Sequence, residues 1–354
     1  MRSQLFLSTL LFSTVTGSQV ANLNIPADVA AEYGCNATCY RTFSAILYID
    51  AMEYGALYDE EFYATANNFS ASAPGDILKF QPIVPDELSG SVPKGTTAYR
   101  FQYTSVDLFG NTVPVTGFIA FPYANRTNGQ LFRTVAWAHG TSGVFRGCAP
   151  SVIPSLYEYG SWSYLIERGY AVVATDYAGL GNDQAGHPYV ALSAHANDVF
   201  YSVVAVRKLF GASLSTEWMS VGHSQGGGTV WSLAESSLPR NNNSSAGRYL
   251  GTVAQAPGVF MGSTALVALE STQKSTSDIA SSRSVLGEVG FAVIGFQNIY
   301  PNETFSWMDH TFRERLKLAK KAQACYTSME SLTTDLDINQ VFNLSANTTN
   351  EQAR

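Results

Sequence analysis

Charge is scarce in this sequence: 14% of its residues are Asp, Glu, Lys or Arg, against about 25% in ordinary soluble proteins. Basic residues are the scarcer sign, 21 Lys and Arg against 28 Asp and Glu, for a formal net charge of −7. No basic cluster large enough to neutralise several phosphates occurs, which excludes nucleic acid as a partner. Cysteine is limited to Cys35, Cys39, Cys148 and Cys325, and their spacing lacks the paired thiolates and His of a zinc site, so no metal is expected. Beyond the N-terminus no run reaches about 18 apolar residues, so no transmembrane segment is expected. Histidine is limited to 5 residues.

What is present is core-forming material. Of 354 residues 45% are hydrophobic and 12% aromatic, enough for one large folded unit with an insertion, or for two to three domains of about 150 residues. Arg2, the apolar run from Leu5 to Val15 and the small residues Thr16 to Ser18 have the three regions of a signal peptide over residues 1–18. Asn36, Asn68, Asn125, Asn242, Asn243, Asn302, Asn343 and Asn347 fit the glycosylation acceptor pattern Asn-x-Ser/Thr. Leader, acceptors and low charge together predict a secreted glycoprotein whose acceptor loops face solvent. In an oxidising compartment four cysteines permit three pairings. Cys35 and Cys39 are close enough for a local bridge, which would leave Cys148 to Cys325.

The organisation follows from periodicity. Residues 19–75 read as a helical or irregular extension. Strand-like stretches at 77–83, 97–106 and 113–121, with a turn at Asp107 to Asn111, give an antiparallel opening. Strand, helix, strand, helix, strand, helix then follow at 134–138, 161–168, 170–175, 192–210, 218–221 and 225–236, with a last strand candidate at 249–255. Crossovers of that length predict an α/β chain built on a mostly parallel sheet covered on both faces. The core is therefore assigned to 76–261, a helical cap to 262–330 and a polar tail to 331–354.

Gly222-His223-Ser224-Gln225-Gly226 fits Gly-x-Ser-x-Gly between a strand and a helix, the context that gives the pattern meaning. Small flanking residues allow a sharp turn that presents the Ser224 hydroxyl as a nucleophile. The backbone N–H of Gln225 is then placed to stabilise an oxyanion, and Gly140 and Thr141, after the earlier strand, are candidates for the second donor. His223 should point away from Ser224 at such a turn.

Three segments carry a family resemblance: Ala138 through Cys148-Ala149-Pro150, Glu167 through Gly181, and Gly222 through Gly227. In order they resemble fungal secretory lipases of the Candida antarctica lipase A type, over roughly residues 40 to 330. The resemblance implies an α/β-hydrolase fold with a helical cap, a Ser-Asp-His triad with Ser224 as nucleophile, and hydrolysis of small-molecule or lipid carboxylic esters. It also implies transient contact of the cap with a lipid interface, and favours the Cys148 to Cys325 bridge. Such chemistry needs no cofactor beyond water.

One feature departs from the family. The triad acid and base come after the cap there, whereas in this sequence only His310 follows Ser224, and it adjoins Asp309 in a helical segment. His310 is the one candidate base by order, and sequence neighbours cannot readily form an end-on Asp to His to Ser relay. The expectation is therefore a hydrolase core lacking its last strands here, inactive or very weak as given. A non-catalytic binding or structural protein on the same scaffold is the alternative.

Overall fold

The computed structural model describes residues 25–342, apart from 124–130, 158–160, 183, 241–244, 260–278, 334 and 338–339. The leader, the acceptors Asn125, Asn242, Asn243, Asn343 and Asn347, and the Ala265 to Leu269 stretch of the cap lie outside the described residues. Asn36, Asn68 and Asn302 are all exposed.

Among the described residues seven strands form one sheet in the order β1-β2-β3-β5-β4-β6-β7. They are β1 Ile77–Pro82, β2 Thr97–Val106, β3 Thr112–Phe121, β4 Phe132–Ala138, β5 Tyr170–Thr175, β6 Leu214–His223 and β7 Arg248–Gln255. The first three pairings, β1 with β2, β2 with β3 and β3 with β5, are antiparallel, and the remaining three are parallel. The sheet is thus mixed, its antiparallel half made by the short-turn hairpin around Asp107. That turn closes because the Asp107 carboxylate accepts the N–H groups of Phe109 and Asn111, both at 2.8 Å.

Helices cover both faces because the strands of the parallel half are apolar on both sides. On one face α4, Ser163–Glu167, packs with Trp162 and Ile166 against Phe118, Trp137, Val172 and Ala174. On the other, α5 (Leu192–Phe210) and α6 (Gln225–Glu235) lie over Ala136, Ala138, Ala171, Val173 and Trp218. β6 starts at Leu214, earlier than its run of apolar residues suggested, because Leu214 pairs with Phe132 ahead of a register shift to Thr134 and Trp218. Among the described residues β7 is the outer edge, and its Leu250 and Val253 are about half exposed, unlike a parallel strand covered on both faces.

Among the described residues three helices precede the sheet: α1 Ala27–Glu32, α2 Ala37–Glu53 and α3 Glu60–Tyr63. Three follow it among the described residues: α7 Ile279–Ile299, α8 His310–Ala322 and α9 Tyr326–Ser331. The two groups share one apolar cluster in which Cys39, Phe43 and Leu47 of α2 meet Phe291, Phe312, Leu316 and Met329. Asp50 of α2 accepts the N–H (2.9 Å) and hydroxyl (2.6 Å) of Ser328. Buried Arg315 donates to the Gly34 carbonyl at 2.6 Å and to Asp335 at 3.1 Å. Disulfides join Cys35 to Cys39 and Cys148 to Cys325. The second ties the loop after β4 to the residue before α9.

Candidate active site

Chain direction places the cleft. From β4 the chain crosses toward β3 to form β5, whereas from β6 it crosses away to form β7, so the connections diverge between β4 and β6. In open α/β sheets the crevice at the carboxyl ends of strands at such a divergence is where ligands bind. Here the ends of β4 and β6 are Ala138 and His223, followed by His139-Gly140-Thr141 and by Ser224.

Ser224 joins β6 to α6 with φ 55° and ψ −120°, a region that residues with a Cβ rarely adopt and one typical of functional sites. Surrounding bonds hold it there: its N–H donates to Gln255 O at 3.1 Å, and its carbonyl accepts from Gly228 (3.1 Å) and Gly258 (2.8 Å). Glycine is required on both sides. A Cβ at Gly222 would stand 2.1 Å from Gly226 O, and one at Gly226 would stand 2.0 Å from Ala138 O. Close packing of α6 on β4 thus depends on the motif's own small residues.

A cleft of about 80 Å³ opens at Ser224, lined by Gly140, Thr141, Tyr157, His223, Ser224, Glu288 and Tyr326. A Cβ built on Gly140 would lie 3.4 Å from the Ser224 Cβ, so the two loops converge. Thr141 is fixed by a 2.8 Å hydrogen bond between its hydroxyl and that of Tyr189. Gln225, buried, is the first residue of α6. N–H groups in a first helical turn have no acceptor within the helix, so they are open to an anion.

The other histidines are not brought to the cleft. His310 begins α8 with 85% of its side chain exposed and lies 3.9 Å from Glu314, while Asp309 caps the helix by accepting the Thr311 N–H at 2.8 Å. His139, His187 and His195 are fully buried in a stack with Tyr177, whose ring centroid is 4.3 Å from His139 and 4.5 Å from His195. Burial keeps these rings neutral, lowering His139 to about 4, His187 to about 3 and His195 well below its usual value. The Gln225 amide nitrogen lies 3.4 Å from both His187 Nε2 and His195 Nδ1. Since His187 Nδ1 faces the Ala178 carbonyl at 2.9 Å, its Nε2 is the acceptor.

Asp176, at the end of β5, serves the scaffold. Its carboxyl accepts from Thr116 Oγ1 at 2.7 Å, Ser151 N at 2.9 Å and Ser151 Oγ at 2.5 Å, holding the loop after β4 against the sheet. Burial raises it to about 6. Phe291 and Val293 of α7 are buried in the cluster shared with α2, and Phe296 is exposed; none of the three is among the residues that line the cleft.

Sequence reasoning missed Tyr157, Tyr326 and Glu288. Tyr326 directly follows Cys325, so the bridge carries it to the cleft, and its N–H donates to Ser142 O at 3.0 Å. Glu288 is one of only two charged residues in α7, the other being Arg283. That isolation in an apolar, glycine-rich helix was the available signal. Burial chiefly, and then the nearby Glu330 carboxylate, raise the Glu288 carboxyl above its usual range.

No protein-family model and no curated protein matches the sequence. Solved structures do resemble it. The rice cell wall degrading esterase LipA from Xanthomonas oryzae superposes with a TM-score of 0.59 at 18% identity, over 77% of this chain and 74% of that one. The fold is that of the α/β-hydrolases. Candida antarctica lipase A in its closed state gives 0.59 at 15% identity, covering 81% of this chain and 64% of its own. A putative hydrolase from Legionella pneumophila gives 0.52 at 17%, over 75% and 77%. The likeness thus extends to bacterial as well as fungal α/β-hydrolases and does not single out the fungal lipases. Among the described residues no helix is long and apolar enough to cross a membrane, and no group of three or more His, Cys, Asp or Glu is placed to hold a metal.

Proposed function

We propose that this chain carries the nucleophile half of a serine ester hydrolase related to the fungal secretory lipases. Ser224 is the nucleophile, and the N–H of Gln225 with those of Gly140 and Thr141 forms the oxyanion hole. The observation that carries the reading is the forced backbone at Ser224, held at the strand-to-helix junction of an α/β-hydrolase and opening on a cleft where a second loop converges. In such a site the hydroxyl attacks the ester carbonyl, a base takes its proton, the alcohol leaves, and water releases the acyl group.

The acid and base are assigned to further strands beyond β7. Exposed Leu250 and Val253 on that edge support this, as does the placement of His310 on the surface. Removing the base from a serine triad lowers turnover by several orders of magnitude while leaving slow residual catalysis. Residues 25–342 are therefore expected to turn over short p-nitrophenyl esters very slowly or not at all. A fluorophosphonate probe should still label Ser224 slowly, and not the S224A protein; a folded protein in which Ser224 resists the probe at every concentration would overturn the assignment. Ester substrates, small or lipid, and a secreted, glycosylated product belong to the same proposal. A mass loss on endoglycosidase treatment, mapped to exposed Asn36, Asn68 or Asn302, tests the second part.

A further inference from the structure

Glu288 is an anomaly in the cleft. It projects from α7 into a space of about 80 Å³ shared with Ser224, Tyr157 and Tyr326. Unlike Asp176, whose carboxyl takes three hydrogen bonds, Glu288 has no hydrogen bond or ion pair among the described residues. The described ion pairs, such as Arg315 with Asp335 and Lys317 with Glu314, all lie elsewhere. Its electrostatic neighbours are the Glu330 carboxylate and the hydroxyl of buried Tyr189. Gly287 permits that closeness, since a Cβ there would stand 2.8 Å from Glu330 Cγ. A half-buried carboxyl next to a second carboxyl is a costly arrangement in a free protein, and a cation relieves it.

The walls suit one kind of cation. Tyr157 and Tyr326 line the cleft, and Tyr189 stands behind Thr141. Aromatic side chains beside a carboxylate favour weakly hydrated, bulky cations, above all quaternary ammonium groups. Among the described residues no Lys or Arg lines the cleft to repel a positive ligand, and the net charge of −7 draws cations toward the protein.

We infer that Glu288 makes the cleft at Ser224 a recognition site for a quaternary ammonium group, so that the esters it selects carry a cationic alcohol or acyl part. The inference rests on the reading of that cleft as an ester site. Glu288 is here a specificity residue, and no proton transfer is asked of it.

The test needs no turnover. Choline and 3,3-dimethyl-1-butanol have the same shape and differ in charge. Calorimetric titration of the protein with each should give choline an affinity at least 10-fold higher. E288Q, checked for folding by its melting temperature, should abolish the preference, and E288D should restore most of it. Choline should also slow fluorophosphonate labelling of Ser224. Equal affinities, or a choline preference unchanged in E288Q, would overturn the inference. A preference that depends on Glu288 in a protein whose Ser224 is never labelled would leave the cation site standing and remove the ester-hydrolase reading.

Discussion

Replacing Ser224 with glycine should make the protein more stable, even though it deletes the residue on which the proposed chemistry depends. At φ 55° and ψ −120° the Cβ of serine is held in a conformation that costs on the order of 1–3 kcal/mol, and glycine has no Cβ to strain. Against this gain, glycine frees the unfolded chain, which costs about 0.4–1 kcal/mol. The balance is a stabilisation of about 1 kcal/mol. Alanine is the control: it removes the hydroxyl but keeps the Cβ, so S224A should match the parent to within about 0.5 kcal/mol. Urea denaturation of the three proteins, followed by tryptophan fluorescence, reads the differences as shifts of midpoint at constant slope. If S224G were no more stable than S224A, the turn would be relaxed, and the claim that the fold spends stability to present this side chain would be wrong.

The remaining predictions concern the supports of the site. The Cys148 to Cys325 bridge closes a separation of 177 residues, so C148S/C325S should lose about 5 kcal/mol by the chain-entropy estimate; a loss under about 1 kcal/mol in urea would show that the cap is held without it. A Cβ at residue 226 would meet Ala138 O at 2.0 Å, so G226A should lower stability by about 3 kcal/mol, with a fall in melting temperature as the readout. Burial raises Asp198 to about 7, so the fold favours its protonated form. The stability that form contributes is complete below the usual carboxylate range and is lost as pH rises through about 7. D198N should remove this loss, so that the parent falls relative to the variant by about 2 kcal/mol between about pH 5 and pH 8; parallel pH curves would refute it. Buried His139 and His187 act in the opposite sense, contributing stability above about pH 6.5 that is lost as pH falls through about 4 and about 3. In H139F the acid-side loss should be smaller than in the parent.

Strand β5 was read at its observed bounds, Tyr170–Thr175, and α5 likewise at Leu192–Phe210, because each carries its period in its own side chains. The elbow was legible for the same reason: Gly222, Ser224 and Gly226 are local, and the geometry they enforce spans five residues. Residues whose meaning depends on distant chain were not legible. His139, His187 and His195 precede Ser224 in order, and only the fold shows them buried around Tyr177. Nothing local to Phe291 or Val293 names α2, some 250 positions earlier, as what they pack against.

Sequence alone determined the order of strands and helices, the turn at Ser224 and which cysteines were near enough to pair locally, since backbone preferences and apolar periodicity act over a few residues. Tertiary structure decided what faces that serine. Glu288 and Tyr326 reach it only because the cap folds back and a bridge fastens it, and a cleft's charge is the sum of groups brought from far apart along the chain.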